Sequence, residues 1–552
     1  MKRIIECVPN FSEGRDPSVI NAISKEIESV SGVKLLDVDP GYAANRTVFT
    51  FAGEPEAVKL AAMKAIKKAT ELIDMTKHKG EHPRIGACDV VPFVPISGVT
   101  MEECVQIAHE VGKWVAEELN VPVYMYEEAA TKPERKSLPN IRKGEYEGLP
   151  EKLMDPEWHP DYGKPEFNPK SGAYVIGARE FLIAYNVNLN TKDKKLANKI
   201  AKRIRETGYT VKDENGETKQ IPGLLQYVRA IGWYIDEYGI AQISINLTNY
   251  KKTPLWKVFE TCIEEAQKEG LRVTGSEIVG LVPKEALLET GRYYLKKQGK
   301  NTGIPEKEII HIAIKSLGLN DVARFEPEKK IIEYLLENPE ESKLQNMSLI
   351  DFTNELSTDS PAPGGGSVSA LSGALSAALT SMVANLTHGK KGYEDVKDLM
   401  EEVSIEAQAL KDTLLKIIDE DTQAFNKVMS AYSLPKKTEE EIRIREEAIE
   451  KANQEATLVP LKVTELSEKL VEIAQKVAEK GNKNALSDAG CALIQARSAC
   501  EGAYLNITIN LKNLKDETFK KEVREKAEKI LSRVRKVVEE NLKKVEESLK
   551  AE

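Results

Sequence analysis

Lys77–Ser97 reads KHKGEHPRIGACDVVPFVPIS, a charged turn carrying two of the chain's six histidines that runs straight into an apolar strand. Pro83 fixes its own φ and disfavours the α region for the residue before it, so His82 is expected in an extended or turn conformation. A histidine held there, just ahead of Val90-Val91-Pro92-Phe93-Val94, lies at the lip of a sheet with its ring able to reach a ligand. Imidazole titrates near neutral pH, which suits it to moving protons. The strand itself, Cys88–Val94, closes a pattern that begins at the N-terminus. Arg3–Val8 reads as a strand, and Asp16-Pro17 opens a helix through Ile20, Ile23, Ile27 and Val30. Val33–Asp37 and Thr47–Phe51 read as two strands around the turn Pro40-Gly41-Tyr42. Glu54–Ile73 spaces Val58, Ala61, Ala62, Ala65 and Ile66 as one helical face. The order β-α-β-β-α-β is the split βαβ, or ferredoxin-like, arrangement. A further helix, Met101–Leu119, and a strand, Val121–Tyr126, extend it.

The same order recurs after Gly177: strand Phe181–Asn188, helix Lys192–Thr207, strands Leu225–Tyr234 and Ile240–Leu247, helix Leu255–Gly270, strand within Leu271–Val282. A ligand site is expected between two such lobes. Glu127–Gly172, rich in Pro, Gly and charge, is expected to run over the surface. After about Asn320 the character changes and no further strand reads convincingly. Ser367–Val383 is a helix of small residues, Glu401–Ala431 and Thr438–Lys480 are helical with Pro460 as a kink, and the last helix carries one apolar stripe from Val523 to Leu549. The expected fold is therefore an α+β unit of two split-βαβ lobes (1–180 and 181–325), a linker (326–345) and an all-α bundle (346–552).

Composition narrows the function. A net charge of −9 argues against general nucleic-acid binding. No apolar run is read as approaching the length needed to span a bilayer, and no signal peptide is read, since the N-terminus runs directly into Ile4-Ile5-Glu6-Cys7-Val8. Six cysteines in no paired spacing fit reduced thiols in a cytoplasm, and without CxxC or HExxH no metal is expected. Few aromatics and many Lys and Glu fit a heat-tolerant source.

Three loop clusters are placed to converge at strand ends: Asn10–Gly14, Asp39–Arg46 with Asn45 and Arg46, and His82-Pro83-Arg84. Singly each reads as turn chemistry. Together they suit an anionic substrate, with arginine for a carboxylate and histidine for a proton. Trp158–Gly163 offers a flat surface for a ring. In the bundle, Gly364, Gly365, Gly366 and Ser367 present bare backbone N–H groups at a helix start, an anion-binding arrangement without the GK[ST] ending of a nucleotide loop. Asp419 and Asp421 interrupt an apolar-patterned helix and point about 200° apart, so one can be buried as a general acid while the other faces solvent. Periodicity does not say which. Ser487-Asp488, Asn506 and Asn510 interrupt other apolar stretches.

These residues carry a resemblance. CVPNFSEGRD, DVDPGY with NRTVFTF, and GEHPRIGACDVVPFVP resemble glutamate formimidoyltransferase, while APGGGSVSA, DEDTQAF and GAYLNITINLKN resemble formimidoyltetrahydrofolate cyclodeaminase. In order and nearly end to end, the chain resembles the fused formimidoyltransferase-cyclodeaminase family. The resemblance implies transfer of a formimidoyl group from N-formimidoyl-L-glutamate to nitrogen 5 of tetrahydrofolate. Cyclisation to 5,10-methenyltetrahydrofolate with loss of ammonia follows, within histidine breakdown. It places the family's catalytic histidine on His82 and its essential aspartate on Asp421. The folate-binding segment falls on Gly163, Lys164, Pro165, Glu166, Phe167, Asn168, Pro169, Lys170, Ser171 and Gly172, a stretch more charged here than is usual in the family. Asn10, Asn45, Arg46 and Arg84 are inferred substrate contacts, and Gly364–Ser367 a folate cradle. The helical family also resembles methenyltetrahydrofolate cyclohydrolases, so a cyclohydrolase, or a folate-binding or dimerising module without turnover, stays open for the second half. Tetrahydrofolate is the expected co-substrate, with no metal or nucleotide. A polyglutamate tail would meet Lys132, Arg135, Lys136, Arg142 and Lys143. The family implies a homo-oligomer, and the unpaired cysteines a cytoplasmic location.

Overall fold

Strand β1 (Ile4–Cys7) is central to a seven-stranded sheet, flanked by β4 (Arg46–Gly53) and β5 (Cys88–Ser97) and antiparallel to both. A two-residue strand β2 (Asn10–Phe11) continues between the same neighbours, and β3 (Val33–Gly41) pairs with the outer side of β4. With α1 (Pro17–Glu28) and α2 (Pro55–Leu72) this is the split βαβ expected from the sequence. Asp16 caps α1 by accepting from the Ser18 amide, and Ile20, Ile23 and Ile27 face the core. The alanines of α2 are buried with Val58 and Ile66, and their small side chains let the helix lie close to the sheet. After α3 (Met101–Glu118), which starts with a Thr100/Glu103 capping box, come β6 (Val123–Glu127) and β7 (Tyr174–Ala178), added in parallel beyond β5. The computed structural model describes residues 3–212, 217–337 and 343–550.

Two differences from the sequence reading have clear causes. The β3–β4 turn lies at 42–45 rather than at Pro40–Tyr42, because Pro40 and Gly41 stay in register with Thr47 and Arg46. Strand β7 went unread because YVIGA is apolar throughout, as a strand covered on both faces must be. Residues 127–172 do more than skirt the surface. Through α4 (Leu138–Arg142) and α5 (Leu149–Met154), Ile141, Leu149 and Leu153 pack with Tyr124, Tyr126 and Val175 on the sheet face away from α1–α3.

That same face carries Glu6, 2% exposed, since its neighbours Ile5 and Cys7 point to the helices. Burial lifts the Glu6 carboxyl to about 7, with Arg179 pulling it down and Glu333 pushing it up. The folded state thus holds the proton more tightly than the unfolded chain, whose value is 4.5. The stability tied to neutral Glu6 is lost as pH rises from 4.5 through about 7. Glu6→Gln is expected to stabilise this unit at pH 8 by about 3 kcal/mol and to do little at pH 4.5. Urea melts at the two pH values check this, and a gain independent of pH would contradict it.

The second lobe is built from β8 (Ile183–Leu189), α6 (Lys194–Ile204), the hairpin β9 (Tyr209–Lys212) and β10 (Thr218–Ile221), β11 (Val228–Ile235), β12 (Ile240–Leu247), α7 (Leu255–Lys268) and β13 (Val273–Val279). Its sheet order β11-β12-β8-β13, antiparallel throughout, matches β3-β4-β1-β5 of the first lobe. The chain then divides unexpectedly. One unit comprises Met1–Leu287 with Leu317–Leu336 and the other Leu288–Ser316 with Glu337–Glu552. Most of α8 (Lys284–Lys297) and α9 (Glu306–Leu317) therefore packs with the bundle, although 181–325 read as a single lobe. In the expected linker, α10 (Pro327–Lys330) and α11 (Ile332–Leu335) belong to the first unit, and residues 338–342 lie outside the described residues.

The second unit is helical, as expected: α12 (Leu349–Leu356), α13 (Gly365–His388), α14 (Lys397–Tyr432), α15 (Glu439–Lys480), α16 (Leu486–Leu511) and α17 (Glu517–Lys550). One expectation needs correcting. Helix α13 is long and apolar enough, by length and composition, to cross a bilayer. In the bundle, 61% of that apolar window is buried, with Ser376 and Thr380 bonding to backbone carbonyls. Helix α15 continues through Pro460. Proline has no N–H for the Ala456 carbonyl four residues back, and the Asn510 amide of α16 donates to that oxygen at 3.1 Å.

Candidate functional site

The three loop clusters do meet in the first lobe. Ser12 Oγ donates to the Gly86 carbonyl (2.7 Å), the Gly14 amide donates to Asn45 Oδ1 (3.1 Å), and an Arg46 guanidinium N–H donates to His82 Nε2. Asn45 can serve here because it adopts a left-handed φ of +48°, which asparagine tolerates. Asn10 is buried on β2, donating to the Val8 carbonyl at 2.9 Å. A guanidinium only donates, so Nε2 of His82 is the acceptor, and the ring proton sits on Nδ1, 2.7 Å from the Pro83 carbonyl oxygen. Burial and the Arg46 charge push the His82 imidazole below its ordinary value. It is therefore a neutral base whose one lone pair is capped by a cation. Arg46 pairs with no carboxylate among the described residues.

Around this pair lie groups the sequence reading missed or assigned otherwise. Asp89, fully buried on β5, accepts from the Ile85 amide (3.1 Å) and from Arg142 Nε (3.2 Å) and Nη2. Both Asp89 and Arg142 act electrostatically on Arg46 and His82. A lone acid in the apolar run CDVVPFV was the available signal. Arg84 is buried and occupied: its guanidinium grips Glu147 with two bonds (2.8 and 2.7 Å), reaches Glu145 (3.1 Å), and its Nε donates to His78 Nδ1 (3.3 Å). His78 in turn donates Nε2–H to the Asn45 carbonyl (2.7 Å), and burial lowers its pKa. An open cavity of about 550 Å³ lies beside them, lined by Lys79, Gly80, Arg84, Gly144, Glu145 and Glu147.

Gly163–Gly172 begins exposed and ends buried. Gly163–Glu166 face solvent, while Gly172 bridges to Gly86 and the Ser171 carbonyl accepts from the Ala87 amide (2.9 Å). Asn168 Oδ1 accepts from the Ser171 amide, Lys170 Nζ donates to the Glu71 carbonyl, and the Phe167 ring packs tilted against Tyr146 with centroids 5.5 Å apart. Tyr146 donates through its hydroxyl to the Pro169 carbonyl and through its amide to the Arg84 carbonyl, so it joins this segment to the His82–Arg84 loop. Pro165 is exposed. Of the five basic residues suggested for a polyglutamate tail, Lys136 and Lys143 are exposed and the other three are engaged within the protein. Arg135 is buried against Asp161 (2.6 Å), Arg142 against Asp89, and Lys132 donates to the Glu157 carbonyl. Trp158 is also occupied, with Lys152 over its ring at 4.5 Å.

In the bundle the two aspartates separate as helical geometry allows. Asp419 is 5% exposed, and its two oxygens accept from the Leu344 and Gln345 amides (2.8 and 3.0 Å), which pins the chain entering the bundle. Asp421 turns instead to the start of α13. Its carboxyl lies so close over Gly366 that a Cβ there would sit 2.1 Å from Oδ1. Ser367 Oγ approaches at 3.3 Å while also donating to the Ile418 carbonyl. Burial raises the Asp421 pKa, and the Ser367 hydroxyl and amide pull it partly back. Gly364 caps α13, and the Asn506 side chain faces Gly365, with Nδ2 3.2 Å from where a Cβ would be. No set of three His, Cys, Asp or Glu side chains gathers as metal ligands among the described residues.

Residues 4–179 match the family described as "Formiminotransferase domain, N-terminal subdomain", residues 184–337 "Formiminotransferase domain", and residues 348–529 "Formiminotransferase-cyclodeaminase". Over 534 residues the chain is 45% identical to the formimidoyltransferase-cyclodeaminase of Mus musculus, covering 96% of each. Over 187 residues it is 41% identical to the methenyltetrahydrofolate cyclohydrolase of Methylorubrum extorquens, 34% of this chain and 90% of that one. The crystal structure of formiminotetrahydrofolate cyclodeaminase from Thermotoga maritima is 34% identical, covering 38% of this chain and 98% of its own, with a TM-score of 0.33.

Proposed function

The chain belongs to the formimidoyltransferase-cyclodeaminase family, and from that premise we propose that two proton carriers, His82 and Asp421, divide its chemistry between them. It is a bifunctional glutamate formimidoyltransferase and formimidoyltetrahydrofolate cyclodeaminase of histidine breakdown, with tetrahydrofolate as a substrate. In the first reaction nitrogen 5 of the folate attacks the amidine carbon of formimidoylglutamate. His82 Nε2 takes the nitrogen-5 proton and returns it to the glutamate nitrogen, and the bond from carbon to that nitrogen breaks. The observation that carries this reading is the Arg46 cap on Nε2. A substrate carboxylate binds a guanidinium more strongly than a neutral imidazole does. Binding would therefore draw Arg46 away and free the base at the moment it is needed.

In the second reaction nitrogen 10 attacks the same carbon. Asp421 accepts the nitrogen-10 proton and delivers it to the amine, which leaves as ammonia, and 5,10-methenyltetrahydrofolate remains. A carboxyl whose pKa burial has raised is better matched to this exchange than an exposed one. Gly364–Ser367 would cradle the folate, and Gly163–Gly172 with Asn10 and Asn45 would line the transferase site. Arg84 serves as a strut holding Glu145–Glu147 rather than as a free carboxylate clamp. A polyglutamylated folate, a homo-oligomer and a cytoplasmic location complete the proposal. The likeness of the helical half to a cyclohydrolase favours a second reading, in which the same site also hydrolyses methenyltetrahydrofolate. Ammonia release from 5-formimidoyltetrahydrofolate, measured beside methenyl hydrolysis on the purified protein, separates the two.

Arg46→Gln tests the cap. The KM for formimidoylglutamate is expected to rise by roughly 10- to 100-fold. The cation that lowers the His82 pKa is also gone. The acid limb of kcat/KM, where neutral His82 is lost, should then move to higher pH. A limb that stays in place would mean Arg46 does not act on His82.

A further inference from the structure

The polypeptide passes between its two units three times, at 287/288, 316/317 and 336/337. The match to the transferase family runs from 184 to 337, through the α8–α9 hairpin, yet Leu288–Ser316 packs as part of the helical unit. The tip of the hairpin shows how. Asn301, Thr302 and Gly303 are buried, although they are polar or small and lie in a turn. Asn301 Nδ2 donates to Ser404 Oγ (2.9 Å) and its Oδ1 accepts from the Gly303 amide (2.9 Å). Thr302 Oγ1 donates to Glu401 (2.6 Å), and the Gly303 carbonyl accepts from Asn385 Nδ2 (2.9 Å). Ser404 and Glu401 belong to α14 and Asn385 to α13. Gly303 has no room for a side chain, since a Cβ would lie 1.9 Å from Ser404 Oγ and 2.6 Å from the Ile405 amide. A buried turn that meets side chains of two other helices with both backbone and side-chain groups is specified by them, because each orphaned partner would carry a desolvation cost.

We propose that the Asn301–Gly303 turn is a plug, and the α13–α14 surface around Ser404 and Asn385 its socket. Together they hold the transferase half to the cyclodeaminase half without the peptide link between them. The partner this surface fits is a glycine-tipped helical hairpin with an Asn-Thr-Gly turn. The last passage, near 337, then serves as a leash rather than the fastening.

The test uses the full chain with a protease site introduced within residues 338–342, cut after purification. The two pieces of the otherwise unaltered protein are expected to co-elute on gel filtration and to keep both activities. With Gly303→Val they should separate, each pool retaining its own activity, while the exposed Lys300→Ala behaves like the unaltered protein. Where Gly303→Val proves insoluble, Asn301→Ala with Thr302→Val serves instead. It should weaken the association of the cut pieces by roughly 10- to 100-fold. Separation of the unaltered pieces on cutting, or continued co-elution of the plug variants, would overturn the proposal.

Discussion

Replacing His82 by alanine is expected to lower formimidoyl transfer by roughly 100- to 10,000-fold, while ammonia release from supplied 5-formimidoyltetrahydrofolate continues at its normal rate. The size follows from removing the group that accepts the nitrogen-5 proton and then protonates the leaving nitrogen. The site has a second histidine, but His78 is no substitute. Its Nδ1 lone pair already accepts from Arg84, and its Nε2 proton is given to the Asn45 carbonyl. The loss should therefore fall on kcat more than on KM, because Arg46 survives and remains unpaired with any acid among the described residues. Steady-state kinetics of the two half-reactions, measured separately, decide it. Transfer that persists within tenfold of normal would leave His82 as a loop residue and require another base.

Asp421→Asn should produce the mirror image, with ammonia release lost by roughly 100- to 10,000-fold and transfer intact. Asparagine matches aspartate in size, so packing over Gly366 is kept and only the capacity to carry a proton goes. Asp419→Asn is the informative companion. It sits two residues away on the same helix, holds the Leu344 and Gln345 amides, and should affect stability rather than turnover. Accumulation of 5-formimidoyltetrahydrofolate by Asp421→Asn would identify the blocked step directly. Unimpaired ammonia release would dismiss this carboxyl from the chemistry.

Much of the architecture was legible because its signals are local. The two β-α-β-β-α-β runs announce themselves through alternation, helical spacing and an Asp16-Pro17 start, and the strands appear within a few residues of where the pattern puts them. What escaped depended on distant partners. Strand β7 has no alternation because it is covered on both sides, and α8–α9 read as lobe because nothing local says which core a hairpin will join. The site shows the same division. The convergence of Asn45, Arg46 and His82 followed from topology. That Arg84 and Arg142 are already held by Glu147 and Asp89 did not, since a sequence shows charges but not their pairing. Helical spacing separated Asp419 from Asp421 but left open which is held by the chain, a choice fixed by backbone amides some 75 residues upstream.

Pro460 and Asn510 have a consequence for how this bundle tolerates change. The proline leaves one carbonyl of α15 without its helical donor, and an amide on the neighbouring helix supplies the missing bond. The two positions form one inherited unit. An alanine at 460 would restore the internal donor and make the asparagine dispensable, whereas losing the asparagine alone leaves a part-buried carbonyl without that donor. Drift along these helices should thus be ordered in time, with the proline surrendered before its distant companion.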